Sequence, residues 1–352
     1  MAFNGVLETA KKRFLILKFF GLASITIIND KSVTKLKDLL YLLVNLTVGL
    51  ILFFVAFTNQ KEFRTSNLEI INDGNVISYL GAIVISLIAT IVFFVFLHKS
   101  WEMILIFHEI DRSFGQTNLN FTFIRRILKA IFLSVAGLAI PVGCVVLYRD
   151  RSIFKLAIFF YFGIFYLSSC AAIITMNSGI FLRVHTINFA LVEMFKGSKN
   201  PKNFCSEGEN IETISRFIEI YGKLVKVNRL MNLCYSIQAM LGFGILYFYS
   251  VFTLFAVFKD LNDKGTLEAK TFNAILRAGY MQIFSATMIY FCTLSERETG
   301  ETLKLVNSIL NRSKCETMSA ILIRYGTLVK ENKPKFTCGL FDFNWTLIYG
   351  VS

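Results

Sequence analysis

Six stretches of this chain, residues 39–58, 76–97, 130–148, 156–182, 233–258 and 278–295, contain no Asp, Glu, Lys, Arg or His. A surface helix of a water-soluble fold shows a charged face beside its apolar stripe, so it has no use for uninterrupted apolar runs of this length. At 1.5 Å of rise per residue each run is long enough to cross roughly 30 Å of hydrocarbon, with 278–295 at the lower limit. Backbone polar groups in lipid must be satisfied internally, and runs this long and apolar form helices rather than the short alternating strands of a barrel. The expected fold is therefore all-α, a polytopic membrane helical bundle. The chain is 55% hydrophobic and 17% charged, against about a quarter charged in soluble domains. No Pro/Ser/Gly-rich linker divides it, so residues 1–352 read as a single membrane domain.

The basic residues set the expected orientation. The segment up to Asp38 and the segments 98–129, 183–232 and 296–344 carry 28 of the 37 Lys and Arg; 59–75, 149–155 and 259–277 carry the other nine. Because Lys and Arg concentrate in cytoplasmic segments, the N-terminus is expected in the cytosol. The net charge of +13 then follows from topology, and nucleic acid is not needed to account for it. Phe14 to Ile28 is interrupted by Lys18 and lacks a small-residue cleavage site, so it does not read as a signal peptide. The sequons at Asn45, Asn120 and Asn311 fall within a span or on the cytosolic side and read as chance matches.

The long cytosolic segments carry helical patterning. Val184, Ile187, Leu191 and Met194 follow the fourth span, while Ile211, Ile214, Ile218, Tyr221 and Val225 precede the fifth. Leu303, Val306 and Leu310 follow the sixth, and Ile321, Tyr325 and Leu328 resume the pattern. Glu212 with Arg216, and Glu219 with Lys223, stand in the favourable i,i+4 order. These helices are expected to run on past the bilayer and pack as a cytosolic stalk or anchor, with an interfacial helix lying on the lipid as the alternative.

Seven cysteines are scattered singly, without CxxC or CxxH spacing, and read as buried thiols acting as small apolar residues. His98, His108 and His185 have no carboxylate or cysteine at ligand spacing, so neither a metal nor a cofactor is expected. Pro141 is expected to kink the third span. The absence of a nucleophile elbow, P-loop and HExxH gives no enzyme signal. The stretch from Phe336 to Ser352 looks like the approach to a seventh helix. Residues 343–352 are the expected start of that helix, left incomplete, since ten residues make only about 15 Å of helix.

This tail resembles the C-terminal signature of the insect gustatory receptor family, a Phe followed by Gly-Leu-Phe-x-Leu/Phe-Asn. Here these are Phe336, Gly339, Leu340, Phe341, Asp342, Phe343 and Asn344, followed by the apolar continuation through Tyr349. The segment from Phe14 to Leu22 is also similar to the family's N-terminal segment. The family's closing Thr-Tyr, apolar run and Gln have no counterpart before Ser352. The resemblance implies a tetrameric, ligand-gated cation channel whose last helix lines the pore, with a cytosolic helical anchor joining the subunits. It also implies a ligand pocket between the outer halves of the spans. By the expected topology those halves hold Tyr79, Tyr161, Tyr166, Tyr247, Tyr249, Tyr280 and Gln282, which offer hydrogen bonds within an aromatic lining. The competing reading places these side chains at the membrane interface or between helices.

The expected function is a gustatory receptor of the cell membrane, a subunit of a channel detecting small organic tastants as a homo- or hetero-oligomer with related receptors. A non-conducting truncated subunit is one alternative. A secondary transporter is another, disfavoured by spans lacking ionisable groups. A G-protein-coupled receptor is the third, disfavoured by the expected orientation and by the missing Asp-Arg-Tyr after the third span.

Overall fold

A computed structural model of the chain describes residues 26–28, 31–33, 35–60, 69–114, 153–196, 208–313, 315–339 and 342–343. Six helices account for nearly all of these: α1 (Leu36–Thr58), α2 (Glu69–Ser113), α3 (Ile153–Lys196), α4 (Gly208–Lys264), α5 (Ala269–Leu310) and α6 (Glu316–Glu331). A two-stranded antiparallel hairpin precedes them, β1 (Thr26–Ile28) paired with β2 (Lys31–Val33) through Ile27 opposite Ser32. The chain is thus an all-helical bundle with one small β element among the described residues. The expected third span, 130–148 with Pro141, and most of the expected seventh helix lie outside the described residues, as do Leu340, Phe341 and Asn344 of the tail signature.

Four of the helices, α1 to α4, are long and apolar enough to cross a membrane. α5 carries the expected sixth span but falls outside that group, because Tyr280, Gln282, Ser285, Thr287, Tyr290 and Thr293 make its charge-free stretch more polar. α1 buries only Asp38, Gly49 and Ala56, which leaves a ring of Leu, Val and Phe facing outward, as a lipid-bathed helix requires. Its first turn is closed by Asp38, whose carboxylate accepts from the Lys35 backbone N–H at 2.8 Å and sits favourably at the helix N-terminus.

Helix length decides the rest of the shape. α2 has 45 residues and α4 has 57, about 68 Å and 86 Å of helix at 1.5 Å per residue. Each therefore extends well beyond the roughly 30 Å a membrane core can cover, so the expected extensions are continuous with the spans. α4 runs antiparallel to α2, with Lys223 beside Glu109 at one end and Phe252 beside Gly74 at the other. α5 runs parallel to α3, matching Ser285 to Tyr166 and Ser295 to Asn177. α4 packs chiefly on α2, and α5 on α3. At the far end α6 lies across α5 and α4, burying Met318, Leu322, Tyr325 and Val329.

That packing corrects the expected registers. On α4 Ile214 and Tyr221 are buried as expected, but the packed stripe also takes in Phe217, Ile220, Leu224, Val227 and Met231, while Ile211, Ile218 and Val225 are only half-buried. On α6 Tyr325 is central as expected, but Leu322 and Val329 accompany it in place of Ile321 and Leu328. Helices with partners on more than one side broaden the buried arc, and a one-residue shift of the stripe follows from which partner is nearest. The α3 stripe of Val184, Ile187 and Leu191 is buried as expected, with Met194 at its edge. Both i,i+4 pairs form, and Lys223 also reaches Glu109 on α2 at 2.9 Å.

Candidate ligand-binding site

The connection between α4 and α5 is four residues long, and its tightness sets the geometry of the cavity end of the bundle. Gly265 takes a positive φ of 66° to close α4, with its N–H donating to the Leu261 carbonyl at 3.1 Å, the left-handed cap that glycine adopts without strain. Asp260 accepts from the Glu268 backbone N–H at 2.9 Å. α5 therefore begins at Ala269, and Asn273 and Arg277, expected in an outer loop, stand on helix inside the bundle. Across from them Gly74 lets α2 approach α4 closely: a Cβ there would lie 2.3 Å from the Phe252 ring.

A cavity of about 50 Å³ opens between the ends of α2, α3, α4 and α5. Ile158, Phe159 and Phe162 wall it from α3, Ile245 and Leu246 from α4, and Met281 from α5. The polar groups on its wall are Ser78 and Tyr79 of α2, Tyr249 of α4 and Arg277 of α5. Arg277 is only 5% exposed; its Nη1 donates to the Tyr79 hydroxyl at 3.1 Å and its Nε to the Asn273 carbonyl at 3.3 Å. A predominantly apolar hollow with a few convergent polar groups is the form small-molecule sites take.

Of the seven expected lining residues, the structure brings Tyr79 and Tyr249 into this cavity and sends the others elsewhere. Tyr161 donates to the Asn45 carbonyl of α1 at 3.2 Å and meets the Phe165 ring edge-on at 5.0 Å. Tyr166 stacks on Phe162, bonds the Ser285 hydroxyl and packs against Gly242, where a Cβ would come within 2.6 Å of its ring. Tyr280 is buried edge-on to Phe284. Tyr247 is 56% exposed on the outside of α4, and Gln282, also outward, donates to the Ser250 hydroxyl at 2.9 Å. Ser78 and Arg277 are polar wall positions that sequence reasoning missed. A signal for Arg277 existed: a basic residue one position before a charge-free run belongs to the first turns of that helix when the preceding loop is short.

Deeper in the bundle, polar side chains pair between helices. Ser169 donates to Gln238 at 2.8 Å, and Asn177 accepts from Ser295 at 3.2 Å, so these groups tie α3 to α4 and α5 in a setting without competing water. Cys170, Cys234, Cys292 and Cys315 are buried free thiols. Among the described residues no group of three or more His, Cys, Asp or Glu converges. His185 of α3 meets Glu298 of α5 at 2.9 Å.

The tail signature forms a compact structure of its own. Gly339 has a φ of 84°, and around it the Phe343 N–H donates to the Phe336 carbonyl at 2.8 Å. The rings of Phe336 and Phe343 lie 4.8 Å apart, and Phe343 lies 5.4 Å from Phe243 of α4. α4 holds the approach to this turn through Asn228 and Asn232, whose amides donate to the Lys335 carbonyl at 3.2 and 2.9 Å. Phe336 and Gly339 of the signature thus have separate physical tasks: packing and a left-handed turn.

A family model described as the 7tm chemosensory receptor matches residues 14–352. Among solved structures, the insect olfactory receptor OR5 from Machilis hrabei is similar, with a TM-score of 0.73 at 12% identity over 99% of this chain and 96% of that one. The same receptor in complex with eugenol gives a TM-score of 0.74 at 12% identity, with the same coverages. At that identity the likeness concerns the fold. No curated protein sequence matches the chain.

Proposed function

Because the chain belongs to the 7tm chemosensory receptor family, a family of receptors rather than enzymes, we propose that it is a gustatory-type receptor subunit in the cell membrane. Its cavity receives a small organic tastant, and occupation biases a ligand-gated cation channel assembled with like or related subunits. The observation that carries this reading is the family match, which runs from residue 14 to residue 352. The cavity supports it, since its wall combines aromatic and aliphatic side chains with a few hydrogen-bonding groups. The solved neighbour described in complex with eugenol is a small-molecule binder of the same fold.

The distribution of Lys and Arg supports a cytosolic N-terminus. The cavity then faces outward and the α6 end of the bundle faces the cytosol. A ligand that fits the cavity when α2, α3, α4 and α5 are in one arrangement better than in another shifts the balance between the two. The test is recording of membrane current in cells that express the chain, alone and with related receptor subunits, during application of small phenols, esters and acids. A ligand-evoked cation current that Ala82→Leu reduces is expected, because Ala82 lies on the cavity wall. Surface-expressed protein that gives no current with any partner or ligand refutes the channel reading.

A further inference from the structure

We infer that the surface where the tail crosses α4 holds the headgroup of an anionic phospholipid, its phosphate seated between the Arg229 guanidinium and the Lys333 ammonium. This surface is separate from the cavity and does not depend on what the cavity binds.

Tertiary contacts gather the cations. On α4, Lys226, Arg229 and Asn232 follow one another at i,i+3 spacing and so share a face. The tail lies across that face: Arg229 Nη2 donates to Asn332 Oδ1 at 2.9 Å, and the Asn232 amide donates to the Lys335 carbonyl at 2.9 Å. From there Pro334 and Phe336 are buried while Lys333 and Lys335 are exposed. That alternation belongs to an extended segment laid flat on a surface, and it turns both ammonium groups outward. Lys226 shares Glu102 with Lys99 of α2, at 2.8 and 3.2 Å, and Lys335 meets Asp342 at 2.9 Å. Glu331 is offset by its neighbour Lys330, and Glu296 acts on Lys335 from farther off. Among the described residues, neither Arg229 nor Lys333, both exposed, has a carboxylate within 4 Å.

Depth selects a lipid as the anion. The charge-free run of α4 begins at residue 233 and that of α2 ends at residue 97, so Arg229 lies about 6 Å of helix beyond the hydrocarbon edge. The headgroup layer reaches about 5–8 Å beyond that edge on each side. A guanidinium fork matches two phosphate oxygens, and an ammonium adds a point charge beside it. A zwitterionic headgroup brings its own cation to this patch and offsets the gain; an anionic one does not. Topology accounts for how many Lys and Arg lie at this end of the bundle, whereas their convergence from α2, α4 and the tail is a product of packing. In the proposed orientation the patch meets the cytoplasmic leaflet, which carries the anionic lipids. A headgroup held there fastens α4 to the segment that leads into the signature turn.

The test uses the purified full chain in detergent and needs no channel activity. Palmitoyl-oleoyl phosphatidylglycerol and the phosphatidylcholine with the same chains are titrated against it, and bound lipid is read by native mass spectrometry. Phosphatidylglycerol is expected to bind at least ~10-fold more tightly, at about fivefold for each basic side chain that reaches it. Arg229→Gln with Lys333→Gln is expected to bring the two lipids within about twofold of each other. Arg312→Gln with Arg324→Gln removes the same charge from exposed positions elsewhere and is expected to keep the preference. Equal binding of the two lipids by the natural chain overturns the assignment, as does a preference that survives in the first double variant. An equal loss in both double variants also overturns it, since net charge alone then explains the binding. Glycerol phosphate, the headgroup without its chains, is expected not to displace phosphatidylglycerol at equal concentration; displacement shows a site for free phosphate compounds and overturns the lipid assignment. If the first double variant does not fold, Arg229→Gln and Lys333→Gln taken singly decide the matter, each with an expected loss of about fivefold.

Discussion

Asp111 on α2 and Arg183 on α3 meet at 2.6 Å with side chains only 6% and 4% exposed, and removing one of them tests how the far end of the bundle is held. At an effective dielectric of about 20, unit charges at that separation attract by about 6 kcal/mol. Taking each ion out of water costs several kcal/mol, so the two terms roughly cancel and the intact pair contributes little net stability. The geometry nevertheless makes each partner depend on the other. Arg183 is held by the Gly179 carbonyl at 2.8 Å and lies 4.1 Å above the Phe107 ring, so it cannot swing out to water when Asp111 is lost. Asp111→Leu is therefore expected to cost about 3–5 kcal/mol, the penalty for removing one partner of a buried ion pair. The double variant Asp111→Leu with Arg183→Met is expected within about 1–2 kcal/mol of the natural chain. Denaturant unfolding in detergent micelles, followed by the fluorescence of Trp101, which is buried on α2, measures both. A double variant as unstable as the single one, or a single variant costing less than about 1 kcal/mol, would refute the reasoning.

Gly74→Ala places a Cβ 2.3 Å from the Phe252 ring and is expected to lower stability by about 1–3 kcal/mol, with Phe252→Leu restoring much of it; thermal melts of both variants check this. Gly222→Ala, on α4 and with nothing inside 4 Å of the new Cβ, is expected to raise stability by about 0.5–1 kcal/mol through helix propensity. Tyr325→Ala empties a fully buried position where α6 meets Tyr221 at 6.1 Å, with an expected loss of about 3–5 kcal/mol, read by the same melts and by increased proteolysis of α6. The Lys226 ammonium, 2.8 Å from Glu102, holds that carboxyl below its ordinary pKa, with burial opposing and Lys99 assisting. A depressed folded-state pKa gives stability that is present above the unfolded value and lost as pH falls through the folded one. Lys226→Met should therefore flatten the acid limb of the stability curve, by under about 1 kcal/mol because the pair is largely solvated.

Why some of this was legible in the chain and some was not comes down to range. A charge-free run of bilayer length settles its own surroundings, since the cost of lipid-exposed charge and of unpaired backbone accrues residue by residue. The runs at 39–58, 76–97, 156–182 and 233–258 lie within helices that are long and apolar enough to cross a membrane. The i,i+4 ion pairs were readable for the same reason, because their partners are near in sequence.

The site was less legible because its members come from four helices. A tyrosine in the outer half of a span can face lipid, a neighbouring helix or a hollow, and only the rotation of each helix about its axis selects among these. Tyr79 and Tyr249 face the cavity, Tyr166 turns toward Ser285, and Tyr247 turns outward. The same rotation moved the packed stripe of α4 to Phe217, Leu224 and Met231. It also brought Arg277, from what looked like a loop, onto the wall beside Ser78. Composition and periodicity determined that this chain crosses lipid as long helices, because those are local free-energy terms. Which side chains share a cavity was decided by how the helices pack, because that depends on partners far away along the chain.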